Sequence, residues 1–331
     1  MKRIQPLSKV TFIYSIVFIF HWRHHINFNV VVSFLRLGRL HFVFVGFFLY
    51  LFGSCLALIS RASFEVNRYI LGYMIVFIAQ LSVSYSNDYF DVEADRFTKK
   101  TFFSGGSKVL VEHPELRRFS KWFALSLIIV SSVLAAVSTM IFSLPFLFLV
   151  FVIVGNIVGW FYSAPPLRLV YRGLGEVMMM LTVGFFLPGL AYWINGGSFD
   201  GVYLLFVFPL LMYGLSFILN VEMPDKEADA QARKKTFIVR KGRPLGFLVI
   251  GFIFFCVSLY FFLICLFFRQ TSAIDFRIVT LFSLLPLGIG LRGVIKRKQE
   301  QLAERLALTN LISLLLLIIF CDVYFVLLLY S

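Results

Sequence analysis

Long apolar runs separated by short polar loops dominate this chain. Runs of the length that crosses a bilayer, about 17 to 25 residues, lie near 39–60, 67–87, 121–142, 144–163, 174–194, 202–221, 245–268, 277–292 and 306–330. They predict an all-α polytopic membrane protein of about nine transmembrane helices. The whole of 1–331 reads as a single transmembrane domain, with an N-terminal segment over 1–29 and a nine-helix bundle over 30–331. Within that segment the apolar run Val10–Phe20 is too short to span, and His21, Trp22, Arg23, His24 and His25 follow it where a cleavage site would need small residues. An interfacial helix with a wet, basic, aromatic edge is the expectation.

Composition agrees with this division. The chain is 60% hydrophobic, holds 42 phenylalanines and has a mean hydropathy of +0.89, well above soluble domains. Of its 31 lysines and arginines, 27 fall before the first span or in alternate loops, leaving only Arg61, Arg68, Arg269 and Arg277 on the other side. The positive-inside rule then predicts a cytoplasmic N-terminus and an outside C-terminus. The net charge of +14 is thereby explained by topology and attraction to lipid headgroups, so nucleic acid is not an expected partner. Cys55, Cys256, Cys265 and Cys321 all lie in predicted spans with no CxxC pairing, which argues against a disulfide framework or a zinc site.

Polar residues break the pattern most sharply at Asn87–Asp95, NDYFDVEAD, at the end of the second span. If the segment stays helical, Asn87, Asp91 and Asp95 share one face with Asp88 beside them, and Glu93 points elsewhere. One acidic side chain at a bilayer centre costs roughly 2.5 to 3.5 kcal/mol, so converging carboxylates demand a positive partner. The device recurs 134 residues later, where DKEAD of Asp225–Asp229 matches DVEAD of Asp91–Asp95. Each copy has an asparagine upstream, Asn87 or Asn220, and each is followed by KKTF, at Lys99–Phe102 and Lys234–Phe237. Two pseudo-repeated halves facing one cytoplasmic site follow from this repeat. Pro224 is expected to break its span so that Asp225 opens a new helical segment, with Glu222 sharing the face of Asp225 and Asp229.

Aspartate clusters suit Mg2+, a hard ion that prefers oxygen ligands and binds through carboxylates and substrate phosphates. Lys99, Lys100, Lys108, Arg168, Lys234 and Lys235 stand near the clusters as candidate phosphate contacts. Gly105 and Gly106, in FSGGSKVL, allow close backbone approach to an anion, and two prolines in YSAPPLRL stop a helix just before Arg168. Inside a membrane this set fits a lipid diphosphate whose head lies at the cytoplasmic interface and whose tail lies among apolar helices. Aromatic side chains would shelter the allylic cation left when diphosphate departs. Asp275 and Asp322 read as loop or helix-end residues.

Taken together, NDYFDVEAD, GGSKVL, YSAPPLRL and PDKEAD with KKT resemble the UbiA superfamily of intramembrane prenyltransferases over nearly the whole chain. The resemblance implies a helical bundle around a central cavity, Mg2+ bridging diphosphate to both aspartate motifs, and prenyl transfer to an acceptor. It assigns metal and diphosphate to Asn87, Asp88, Asp91, Asp95, Asp225 and Asp229, with Asp91 and Asp225 catalytic. Lys108 and Arg168 would bind phosphate, Tyr162 would line the reacting centre, and Arg39 matches the family's first-helix arginine. Within the superfamily, NDYFD followed by GGS is most similar to the 1,4-dihydroxy-2-naphthoate prenyltransferases of menaquinone synthesis. Ala94 stands where those enzymes often have glycine, and no proline lies near Arg39, so 4-hydroxybenzoate, chlorophyll-type and glycerol-phosphate acceptors stay open. The partners implied are a polyprenyl diphosphate, a small aromatic acceptor and membrane lipid, without an obligatory protein. An ion-coupled transporter is the alternative of a different class; both clusters on one side, each with lysines, argue against it.

Overall fold

The structure is a computed structural model that describes residues 28–60, 62–98, 104–267 and 273–330. The expected helix over Val10–Phe20, its histidines, Lys99 and Lys100 lie outside the described residues. Helix α1 (Phe28–Leu37) precedes the spans α2 (Leu40–Ile59) and α3 (Val66–Phe90), and the one-turn α4 (Val92–Asp95) follows. After the short α5 (Val109–Glu112) come α6 (Arg117–Ile141) and α7 (Phe146–Phe161). One crossing is then made of three pieces: α8 (Gly175–Leu181), a π-helical turn over Thr182–Phe186, and α9 (Leu187–Gly196). The remainder is α10 (Gly201–Gln231), the short α11 (Phe237–Lys241), α12 (Arg243–Phe267), α13 (Phe276–Lys296) and α14 (Ala303–Tyr330).

Eight of these helical stretches are long and apolar enough to cross a membrane, and α7 is a shorter apolar helix of 16 residues. At a rise of 1.5 Å per residue α7 is about 24 Å long, less than a hydrocarbon core of about 30 Å. The nine expected runs thus correspond to nine apolar helical stretches, one of them undersized.

The helices close into a ring. α2 packs on α3, α3 on α6, α6 on α7, and the broken α8–α9 crossing on α7 and α10; α10, α12, α13 and α14 complete the circuit back to α2. Large apolar side chains such as Met140, Phe146, Phe252 and Phe267 stay exposed on the outside, as lipid-facing residues should. The broken crossing runs close to α10 because both are stripped of side chain where they meet. A Cβ on Gly184 would collide with the Leu210 backbone, and one on Gly214 would stand 3.0 Å from the Met180 carbonyl oxygen.

Two local expectations fail. Pro224 does not break its span: α10 runs unbroken through both Pro209 and Pro224. Neighbouring helices hold this stretch in place, Asn310 of α14 donating to the Asn220 side-chain oxygen at 2.9 Å and Arg243 to the Met223 carbonyl at 2.8 Å. Asp322 is not a helix-end residue but lies inside α14, 2% exposed, with neither carboxylate oxygen hydrogen-bonded. Asp275 does end a helix, capping α13 through the N–H of Arg277.

The orientation in the bilayer is open to direct labelling. Cysteine introduced at Ser198, between α9 and α10, should react with an impermeant maleimide from outside, and cysteine at Lys298, between α13 and α14, only from the cytoplasmic side. The reverse pattern would invert the topology.

Candidate active site

The two acid motifs lie on facing helices. α3 ends at Phe90, Asp91 takes a non-helical conformation (φ −99°, ψ 10°), and α4 begins one residue later, so the first motif is a bent helix rather than a straight one. The four-residue spacing survives the bend, because Asp91 N–H still bonds Asn87 and Asp95 N–H still bonds Asp91, both at 2.8 Å. Asn87, Asp91 and Asp95 therefore face one way, as the periodicity requires. Opposite them, Asp225 and Asp229 extend from the last turns of α10.

Between the motifs stands the Lys234 ammonium, 3.2 Å from Asp91 Oδ2 and 3.5 Å from Asp229 Oδ1. Burial alone would pull its pKa down; the Asp91 and Asp229 carboxylates outweigh that and hold it above the ordinary lysine value. Asp91 has two further donors, Ser163 Oγ at 3.0 Å and the Tyr171 hydroxyl at 2.8 Å. Among the described residues no hydroxyl donor of this kind reaches the Asp95 carboxylate. Burial, with Asp88 and Asp91 adding to it against Arg39 and Lys234, pushes its carboxyl up to about 7. Added positive charge at this point would find a receptive group.

The glycine loop ties both motifs together. Gly105 donates its N–H to Asp225 at 3.2 Å, and Gly106 lies so close to the Asp95 carboxylate that a Cβ would overlap it. Both glycines have positive φ, 88° and 67°, which suits them alone. The loop read from sequence as an anion cradle thus holds the protein's own carboxylates in place.

These groups open on a cavity of about 270 Å³. Its mouth carries Arg39, Asn87, Asp91, Asp95, Asp225, Asp229, Lys234 and Tyr162. Deeper walls are largely apolar, with Phe42, Phe151, Phe186 and Phe217 among them, while Gln80, Ser84 and Asn156 add isolated polar atoms. Several residues named from sequence are placed elsewhere. Asp88, 1% exposed, is paired with the Arg39 guanidinium and does not line the cavity. Lys108 Nζ is bound to the backbone carbonyls of Asp95 and Thr98, and Arg168 stacks over the Tyr171 ring at 4.3 Å. Lys235 is exposed, whereas its neighbour Lys234 turns inward. Ser163 and Tyr171 were not singled out in the sequence, and the lysine pair was named there without its inward member being distinguished. Only their neighbourhood, YSAPP and the KKTF repeat, pointed there.

Among the described residues no three carboxylate, histidine or cysteine side chains already form a metal cluster. The donor set nevertheless fits a hard divalent cation in kind. All its ligand atoms are oxygens, they come from two facing helices, and Asn87 Oδ1 is buried with no hydrogen-bond partner.

Two substitutions test this architecture in the protein without substrate. Gly106→Ala should cost about 1 to 2 kcal/mol for a left-handed alanine, before its clash with Asp95, and lower the melting temperature in detergent. Lys108→Gln should lower it too, since the ammonium holds two carbonyls. An unchanged melting temperature in both would contradict the tethering of the first motif.

Comparison with known proteins agrees with this geometry. The profile of the UbiA prenyltransferase family matches residues 46–314. A 2-carboxy-1,4-naphthoquinone phytyltransferase from Synechocystis sp. is 35% identical over 91 residues, 27% of this chain and 29% of that protein, so the alignment spans under a third of the relative. A UbiA homolog from Archaeoglobus fulgidus, solved bound to GPP and Mg2+, superposes with a TM-score of 0.61 at 14% identity, covering 90% of this chain and 100% of that one. A structure described for digeranylgeranylglyceryl phosphate synthase in membranes gives 0.58 at 15% identity, over 89% and 99%. The two structures establish a shared fold, and the profile match, covering most of the chain, establishes the family: the chain belongs to the UbiA prenyltransferase family.

Proposed function

We propose that this protein transfers a prenyl group from a polyprenyl diphosphate to a small aromatic acceptor, with 1,4-dihydroxy-2-naphthoate the first acceptor to try. One observation carries the reading: a single cavity has a charged mouth built from two aspartate pairs and an inward-turned lysine, and a wall rich in phenylalanine below it. A molecule with an anionic head and a hydrocarbon tail matches both parts. The Synechocystis relative supports a naphthalene acceptor, and the Archaeoglobus homolog, bound to GPP and Mg2+, supports the donor class and the metal.

Asp91, Asp95, Asp225 and Asp229, with Asn87, would hold Mg2+, and Mg2+ bound there would supply the charge that stabilises departing diphosphate. Lys234 and Arg39 line the same mouth and serve as direct donors to phosphate oxygens. Asp88 keeps Arg39 in position through their ion pair. Arg168 acts indirectly, through Tyr171 on Asp91. Below the mouth, Phe42, Phe151, Phe186 and Phe217 exclude water and present ring faces to the allylic cation, with the Tyr162 ring at the boundary. Attack by an electron-rich ring then needs no covalent enzyme intermediate. The site is assigned to the cytoplasmic face, where charged soluble acceptors are made.

The test uses purified full-length protein, radiolabelled geranylgeranyl diphosphate, Mg2+ and separate acceptors. Prenylated dihydroxynaphthoate is the expected product. Product with only 4-hydroxybenzoate or only a glycerol phosphate would reject the naphthoate assignment and keep prenyl transfer; no product and no diphosphate release with any acceptor would reject the enzyme reading. Asp91→Asn and Asp225→Asn should each lower turnover about a hundredfold or more, and EDTA should abolish it. Full activity in both variants would remove these aspartates from the reaction.

A further inference from the structure

Among the described residues, Glu222 is the acidic group on the cavity wall that the reading above leaves without a task. It lies on α10 three residues before Asp225 and seven before Asp229, so all three share a face. Two helical turns, about 10 Å, separate it from Asp229 on the side away from the cytoplasmic end. Its neighbours on the wall in that direction are Val221, Ile218 and Phe217. Glu222 therefore stands where the charged mouth gives way to the apolar chamber, level with the phenylalanines rather than with the diphosphate end.

Its surroundings are unusual for a carboxylate. Glu222 is 4% exposed and lines the cavity, yet neither oxygen makes a hydrogen bond of normal geometry, although the Ile238 N–H stands nearby. The other charged or titratable groups facing it are Glu176 of α8, Tyr162 at the end of α7, Asp229 of its own helix, and Lys234. Glu176 is already engaged with the Phe237 N–H. A buried carboxylate with no partner costs several kcal/mol unless something completes it. Among the described residues no side chain does so, and the cavity is the open side.

On the reading that the chain is a prenyltransferase, we propose that Glu222 accepts the hydroxyl proton of the acceptor. The acceptor O–H bond breaks and its proton moves to a Glu222 carboxylate oxygen. The released electron pair enters the ring, whose nucleophilic carbon bonds to C1 of the prenyl group, leaving the acceptor as its keto tautomer. The C1–O bond of the donor breaks with its pair leaving on diphosphate. The two acid pairs and Lys234 then serve the donor, and Glu222 serves the acceptor. This division accounts for an acid set apart from the others by depth.

The test compares Glu222→Gln and Glu222→Asp with the unaltered full-length protein, using Mg2+, geranylgeranyl diphosphate and dihydroxynaphthoate. Glu222→Gln should bind the donor within about twofold of the original protein and lose about a hundredfold or more in turnover, the usual range for general-base removal. Glu222→Asp should recover part of the rate. With a fluorinated acceptor whose hydroxyl is already ionised at the assay pH, the deficit of Glu222→Gln should shrink about tenfold or more, a rescue that a purely structural residue would not show. Undiminished transfer by Glu222→Gln, an equal loss of donor binding, or no rescue by the acidic acceptor would each overturn the proposal while leaving prenyl transfer intact. Absence of transfer by the unaltered protein with every acceptor would instead overturn the enzyme reading, and this inference with it.

Discussion

One inward-turned ammonium makes the acid clusters compatible with their place in the fold. Asp91 and Asp229 come from helices far apart in the chain, and Lys234 lies between them within salt-bridge distance of both. Without it, two carboxylates would face each other across a largely apolar cavity; breaking a buried pair of this kind typically costs about 3 to 5 kcal/mol. The lysine thus fixes the separation of the two motifs and gives their gap a net preference for anions that bring their own cation. A diphosphate accompanied by a divalent ion meets that condition.

Around this contact the chain spends its local irregularities. Among the described residues five non-glycine positions have positive φ, and four of them, Arg39, Lys108, Arg168 and Arg233, are basic; the fifth is Ser143, between α6 and α7. Three of the four brace the first motif: Arg39 through Asp88, Lys108 through the carbonyls of Asp95 and Thr98, and Arg168 through Tyr171. The π-helical turn over Thr182–Phe186 is another such departure, and it puts Thr182, Val183 and Phe186 on the cavity wall. Strain collects where groups must be aimed.

The span pattern was almost fully legible, because a bilayer imposes length and hydrophobicity on each crossing and the loops carry the charge. The acid motifs were legible for the same reason, since carboxylates at the end of apolar runs are expensive. What escaped was partner choice. Sequence spacing put Asp88 with the other aspartates, whereas the left-handed turn at Arg39 brings a guanidinium to it first. Of the adjacent Lys234 and Lys235, only one can turn inward from an extended stretch, and nothing local says which. Pro224 carried a strong helix-breaking signal that packing against α12 and α14 overrode. The burial of Asp322 likewise depends on how α14 is rotated against its neighbours, which the apolar composition of that helix does not encode.

The central claim is that two motifs on facing helices form one site rather than two. A double-mutant cycle on Mg2+-dependent affinity for a non-hydrolysable prenyl thiodiphosphate, using Asp91→Asn, Asp225→Asn and both together, measures this coupling. A shared site predicts that the double variant binds little worse than the poorer single one. Losses that multiply, each aspartate acting as though the other were absent, would contradict it.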